Sequence, residues 1–229
     1  MSVESGQASA VLRAEPFPVV LAGPSGSGKT TIARALLGRR SDCTFSVSVT
    51  SRPPRSAETD GVDYRFITRP DFEQLIADGG LLESAEVHGD LYGTPRSNLD
   101  ESEREGLHLL LDIDVQGARA VRSLVPDVVT IFLLPPTAQQ IIARLRGRGT
   151  EDRDALHRRL RTAQEELAGI GEFDYAVVND DLEECLTVVE GIIDSERYRV
   201  DRGRRAAENR ANDMVNAIRQ VLSDDGPKA

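Results

Sequence analysis

Residues 20–31 read VLAGPSGSGKTT, and this stretch restricts the fold more than any other part of the chain. Gly23, Gly28, Lys29 and Thr30 satisfy the spacing G-x-x-x-x-G-K-[ST] in full. The glycines permit a tight turn in which several backbone N–H groups point inward at phosphate oxygens. A helix beginning there adds its positive end. Lys29 is placed to reach β- and γ-phosphates, and the Thr30 hydroxyl to face magnesium. Gly23, Pro24, Ser25, Gly26, Ser27, Gly28, Lys29, Thr30 and Thr31 are thus expected to bind a nucleoside triphosphate. The chain writes arginine almost everywhere else: its 28 basic residues include two lysines, Lys29 and Lys228. A compact ammonium can enter a ring of amides where a planar guanidinium would misdirect its fork. The loop by itself names no acceptor.

Such a loop needs a strand before it and a helix after it. PVVLA at 18–22 and TTIARALLGR at 30–39 supply them. Further strands are expected over 44–49, 107–113, 128–134 and 175–179, and helices over 115–124, 137–148, 151–168 and 181–196. Strands alternating with helices imply an α/β fold, a P-loop NTPase-type parallel sheet flanked by helices. Residues 48–94 break the alternation. They hold an irregular segment at 51–64, a short helix at 70–79 with Pro70 in its first turn, and short strands with turns at Gly89 and Gly93. They read as a small mixed α+β insertion in a core made of residues 16–47 and 95–196. Residues 1–15 read as a mobile tail, and 197–229, where arginines and acids mix, as a solvated helical extension.

With 28 basic and 38 acidic residues the formal charge is −10, a poor match for a nucleic-acid backbone. No apolar run reaches membrane-spanning length, and the first residues lack the pattern of a secretory signal. Cys43 and Cys185 fit neither a metal spacing nor a disulfide framework, as expected of a cytoplasmic protein. Monomer and homo-oligomer are equally open. A small phosphate ligand in a local basic pocket remains compatible with the charge. Arg52, Arg55 and Tyr64 lie close together in SVTSRPPRSAETDGVDY, and Tyr92 adds a second phenol. Two guanidiniums with phenol hydroxyls suit a phosphate dianion, which arginine grips bidentately. Asp112 ends the apolar run LHLLLD, where an acid that holds magnesium, directly or through water, is expected. Asp114, two residues on, either caps the next helix or leaves the strand on the same side as Asp112.

In order, GPSGSGKTT, SVSVTSRPPRSAETDGVDY, LLESAEVHGDLYGTPR, LLLDIDVQGAR, LRGRGT and VVND resemble the guanylate kinase family over roughly residues 18–196. The resemblance implies transfer of a phosphoryl group from ATP, the co-substrate, to GMP with Mg2+. It implies that 48–94 is a GMP-binding insertion and 135–160 a helical lid. It implies that Arg52, Arg55, Tyr64 and Tyr92 hold the GMP phosphate, with Glu58 retained in their loop. Ser48, Glu83 and Thr94 would read the guanine, with Asp112 and Asp114 beside it. Arg148 and Arg159 would reach the donor phosphates and Asn179 would border the adenine pocket. Lys29, Arg52, Arg148 and Arg159 then form the catalytic set. The chemistry of Glu83 agrees, since guanine presents N1–H and a 2-amino group side by side and adenine has no such donor pair. No general base is needed, because the attacking phosphate oxygen is already anionic. The chain departs from the family pattern at Ser84 (often aromatic), at 56–58 (SAE for P-G-E) and at Leu91 (often tyrosine). Two other readings share these residues: a kinase for another small acceptor such as a ribose phosphate, and a non-catalytic module that binds phosphopeptides at the clamp. The first leaves Ser48, Glu83 and Thr94 without a use; the second does not need an intact phosphate loop.

Overall fold

A computed structural model describes residues 15–56, 58–87, 89–146 and 153–224. The tail expected at 1–15 lies outside them except for Glu15, and so do Arg148 and the start of the helix expected over 151–168. In chain order the elements are β1 (Val19–Ala22), α1 (Lys29–Arg39), β2 (Cys43–Phe45), β3 (Val49–Thr50), β4 (Arg65–Phe66), α2 (Arg69–Ala77), β5 (Leu81–Val87), β6 (Asp90–Pro95) and α3 (Arg96–Glu105). They continue with β7 (His108–Asp112), α4 (Val115–Leu124), β8 (Val129–Leu134), α5 (Ala138–Arg146), α6 (Arg153–Ala168), β9 (Tyr175–Val178), α7 (Leu182–Glu196) and α8 (Val200–Asp224).

Five strands form a parallel sheet in the order β2-β7-β1-β8-β9. β1 lies at its centre and is fully buried, which is why it is written VVLA without alternation. Neighbours in this sheet are distant in sequence, so each pairing needs a helical crossover. Leu21 is in register with Asp112, which brings the strand before the phosphate loop beside the strand that ends in a carboxylate. Ligands of such sheets collect outside the carboxyl ends of the strands. The second sheet, β4-β3-β6-β5, is mixed, and a small apolar cluster of Val49, Phe72 and Leu91 joins it to α2. A third cluster, Ile141, Leu145 and Ala163, holds α5 to α6.

The run expected as one strand over 44–49 is instead two. β2 belongs to the parallel sheet and β3 to the mixed one. The chain crosses between them at 46–48, where the Asn98 amide donates to Ser46 Oγ and to the Val47 carbonyl, both at 3.0 Å. Gly93 makes no turn. It is a strand residue in β6, and a Cβ there would come within 2.9 Å of the Glu83 carbonyl and 3.0 Å of the Phe72 ring. α3 has no counterpart in the sequence reading. It buries Asn98, Leu99 and Ser102, so its inner face carries a single large apolar residue and the helical period is hidden.

One compact unit spans Pro16–Glu190, and the described residues from Gly191 on belong to a second. α7, Leu182–Glu196, contributes residues to both. Within the second unit, Glu196 accepts from Arg202 at 2.8 Å and pairs with Arg199 at 3.3 Å, next to the start of α8.

Candidate active site

The phosphate loop is shaped by glycine geometry and a neighbouring amide. Gly28 has φ 96°, and a Cβ there would lie 2.3 Å from Asn179 Nδ2. That amide donates to the Ser27 carbonyl at 2.8 Å. Glycine is thus required twice, by the dihedral and by the space. Asn179 follows β9, and its own N–H is tied to Leu134 O at 2.7 Å, so the parallel sheet positions it. Lys29 opens α1 and donates Nζ to the Gly23 carbonyl at 3.0 Å, closing the ring. Ser27 Oγ is buried with no hydrogen-bond partner. Thr30 Oγ1 donates to Asp112 Oδ2 at 2.5 Å, bridging the loop and β7. Asp114 does what both expectations allowed. It caps α4 by accepting from Gly117 N at 2.7 Å, and it also faces the site.

Two cavities of about 330 Å3 each share Ser25, Tyr64, Asp112 and Asp114. The first is lined by Lys29, Thr30 and Thr31 and the second by Ser48, Glu83 and Tyr92. A third, of about 560 Å3, lies between Gly28, Thr31 and Asn179. In the second cavity Glu83 faces Thr94 across the β5–β6 hairpin, and Thr94 Oγ1 donates to Glu83 Oε1 at 2.7 Å. Burial raises the Glu83 pKa; Thr94 partly offsets this and Asp114 adds to it. Thr94 is itself buried and supports Glu83 from behind.

Arg52 is buried and held from four sides. Its Nη1 and Nη2 donate to Glu58 Oε2 and Oε1 at 2.6 and 2.7 Å, and its Nε donates to the Tyr92 hydroxyl at 3.1 Å. The guanidinium lies 5.1 Å from the Tyr64 ring centre and 5.5 Å from that of Phe66. The Arg52 pair holds the Glu58 carboxyl down at about 2, and Glu58 in turn raises the Arg52 pKa. Glu58 also accepts from Arg55 N at 2.8 Å, closing the loop without the glycine that the family often has there. A carboxylate so placed orients Arg52 and would repel a phosphate that touched it. The Arg55 side chain is exposed. Tyr64 is half-buried, and burial, with Asp112 nearby, raises its pKa. Leu91 packs into the Val49–Phe72 cluster, which accounts for an aliphatic residue there, and Ser84 is exposed.

Arg159 is half-buried on α6, and Arg148 lies outside the described residues. Two residues were missed from sequence. Arg144, on α5, donates Nη1 to the Gly26 carbonyl at 2.5 Å and its Nη2 to Gln140 Oε1 at 3.2 Å. Glu166, on α6, lines the first cavity beside Ser25 and Lys29. Spacing was the available signal. Glu166 stands seven residues after Arg159 on α6, so it shares a helix face with a residue already singled out, and Arg144 stands two turns from Thr137 on a helix already expected over 137–148.

The Thr30 hydroxyl and Asp112 carboxylate form a hard-oxygen pair at the mouth of the loop, a donor set that suits magnesium. Among the described residues no group of three or more His, Cys, Asp or Glu could hold a metal ion. Among the described residues no helix is long and apolar enough to cross a membrane.

The family model of guanylate kinase matches residues 15–196. The guanylate kinase of Chelativorans sp. (strain BNC1) is 44% identical over 201 residues, 87% of this chain and 92% of that protein. That of Synechococcus sp. (strain CC9311) is 48% identical over 173 residues, 76% of this chain and 91% of that protein. The crystal structure of guanylate kinase from Anaplasma phagocytophilum superposes with a TM-score of 0.66 at 34% identity, covering 83% of this chain and 90% of that one. The phosphate loop, the paired cavities and these likenesses agree, and the chain belongs to the guanylate kinase family.

Proposed function

We infer that this chain transfers the γ-phosphoryl group of ATP to GMP, and to dGMP, giving ADP and GDP in purine nucleotide metabolism. The observation that carries the choice of acceptor is Glu83, half-buried and braced by Thr94 in a cavity that meets the phosphate-loop cavity at Ser25 and Asp112. Its free carboxylate face suits the N1–H and 2-amino donors of guanine, and Ser48 stands in the same cavity. Adenine would leave that buried acceptor unpaired. The reading places the enzyme in the cytoplasm, which its buried free thiols Cys43 and Cys185 fit.

An anionic oxygen of the GMP phosphate attacks the γ-phosphorus, the bond to the ADP oxygen breaks, and ADP leaves with the electron pair. No proton has to be removed first, so catalysis is positioning and neutralisation of charge. Lys29 and the loop amides take the donor phosphates. Arg52 and Arg55, with Tyr64 and Tyr92, take the acceptor phosphate, and Glu58 fixes Arg52 in advance. Arg144 on α5 and Arg159 on α6 add positive charge when the lid closes over the donor, and the resemblance gives Arg148 the same part. Asn179 borders the cavity assigned to adenine. Thr30 and Asp112 would hold magnesium, directly or through water, and the ion would supply further neutralisation of the phosphate charge. Closing the site excludes water that would otherwise accept the phosphoryl group.

The test is a coupled assay with ATP, magnesium and a panel of acceptors: GMP, dGMP, AMP and ribose 5-phosphate. GMP and dGMP should turn over and the others should not. Turnover of AMP or the sugar phosphate with GMP inert would overturn the assignment.

A further inference from the structure

The cavity around the phosphate loop has an unexpected charge for a place that receives a triphosphate. Lys29 is the one cation among its described lining residues, and Asp112, Asp114 and Glu166 face it as three carboxylates. Two of these already have work. Asp112 takes the Thr30 hydroxyl and Asp114 caps α4. Glu166 is different. It sits on α6, the helix that carries Arg159, and two helical turns separate the pair on one face. It lines the donor cavity together with Ser25, which also lines the acceptor cavity. Its Oε2 is buried with no hydrogen-bond partner. Burial raises its pKa, and Asp114 adds to the rise while Lys29 and the Ser25 amide oppose it. Glu166 thus adds a third carboxylate to the lining of the cavity that holds Lys29.

We propose that Glu166 is a specificity-determining residue that sets the donor cavity against free ATP and in favour of its magnesium complex. Free ATP carries about four negative charges at pH 8, and its magnesium complex about two. A carboxylate facing the terminal phosphate opposes the first much more than the second; with water-like screening (effective dielectric ~80) at ~6 Å, a difference of about two charges amounts to about tenfold in affinity. The residue thus makes the neutralising ion a condition of tight binding, so that a donor lacking its metal does not block the loop. Its position on the lid helix ties this selection to the element that closes over the donor. The inference rests on reading the phosphate loop as the ATP site.

The experiment measures ATP dissociation constants by calorimetry at pH 8 and constant ionic strength, once with EDTA and once with excess magnesium. Glu166→Gln keeps the size and polarity of the side chain and removes the charge. It should bind free ATP about tenfold more tightly than the parent protein, with the magnesium complex changed less than threefold. If the amide variant does not fold, Glu166→Met, of similar length and uncharged, should shift free ATP in the same direction. Free ATP bound equally or more weakly by the folded variant would overturn the proposal, because a merely structural role could weaken binding and only lost repulsion strengthens it. Lys29→Ala provides the separate control: it should weaken both forms of ATP, and if it weakens neither, the ATP-site reading fails whatever Glu166 does.

Discussion

The two ends of the reaction are built on opposite plans. The donor loop is held by shape. Its turn exists because Gly28 has a positive φ and leaves room for Asn179, its lysine reaches back to its own backbone, and its buried Ser27 hydroxyl has no partner. The acceptor clamp is held by charge. Arg52 is locked by a bidentate pair with Glu58, a phenol and two aromatic faces before any phosphate arrives. A cradle made of backbone has little to rearrange when its ligand comes. A clamp made of a long side chain must be ordered beforehand, or binding would cost the entropy of ordering it. The difference teaches where substitutions will act: on the donor side through the one charged group and the backbone, on the acceptor side through the residue that orients the charged group.

Removing charge from the donor side should have the largest effect. Lys29→Ala is expected to lower kcat/KM on the order of 10³-fold with an unchanged thermal midpoint. Near-normal turnover in the purified variant would mean that the amides suffice. Next comes the acceptor side. Glu58→Gln leaves Arg52 in place but unanchored, and the KM for GMP should rise about 10- to 100-fold while the KM for ATP holds still. The same pair predicts an acid limit. The Glu58 carboxyl is depressed from about 4.5 to about 2, so its stabilisation is fully present above pH ~4.5 and fades as pH falls towards ~2. Denaturant midpoints taken across that window should fall more steeply for the parent than for Glu58→Gln, and parallel curves would show that the pair adds nothing to stability. The smallest effect should come from the support of the donor loop. Asn179→Ala removes one amide hydrogen bond to Ser27 O, worth about 1 kcal/mol, and should raise the KM for ATP about fivefold while sparing GMP.

Legibility in the sequence follows the same division. Backbone-shaped features were readable, because glycine and apolar runs have few other uses. The loop, the carboxylate at the end of β7 and the helix over 115–124 stand where the pattern put them. What could not be read was set by tertiary contact. α3 hides because Asn98 and Ser102 fill its inner face in place of apolar residues. The break at 46–48 hides because it depends on Asn98, some fifty residues away. Arg144 and Glu166 look like any arginine and glutamate on a charged helix until folding turns them towards Gly26 and Ser25. Glu83 was legible through resemblance, and the structure adds the Thr94 hydroxyl that braces it.

That brace points to the most direct measurement of the account, the ratio of kcat/KM for GMP to that for AMP in the parent and in Glu83→Gln. An amide would present a donor to guanine N1–H where the carboxylate presents only acceptors, while adenine N1 would gain a partner. The ratio should fall at least about 100-fold, through lower GMP efficiency and a smaller gain for AMP. An unaltered ratio in a folded, active variant would contradict the claim that this carboxylate chooses the purine.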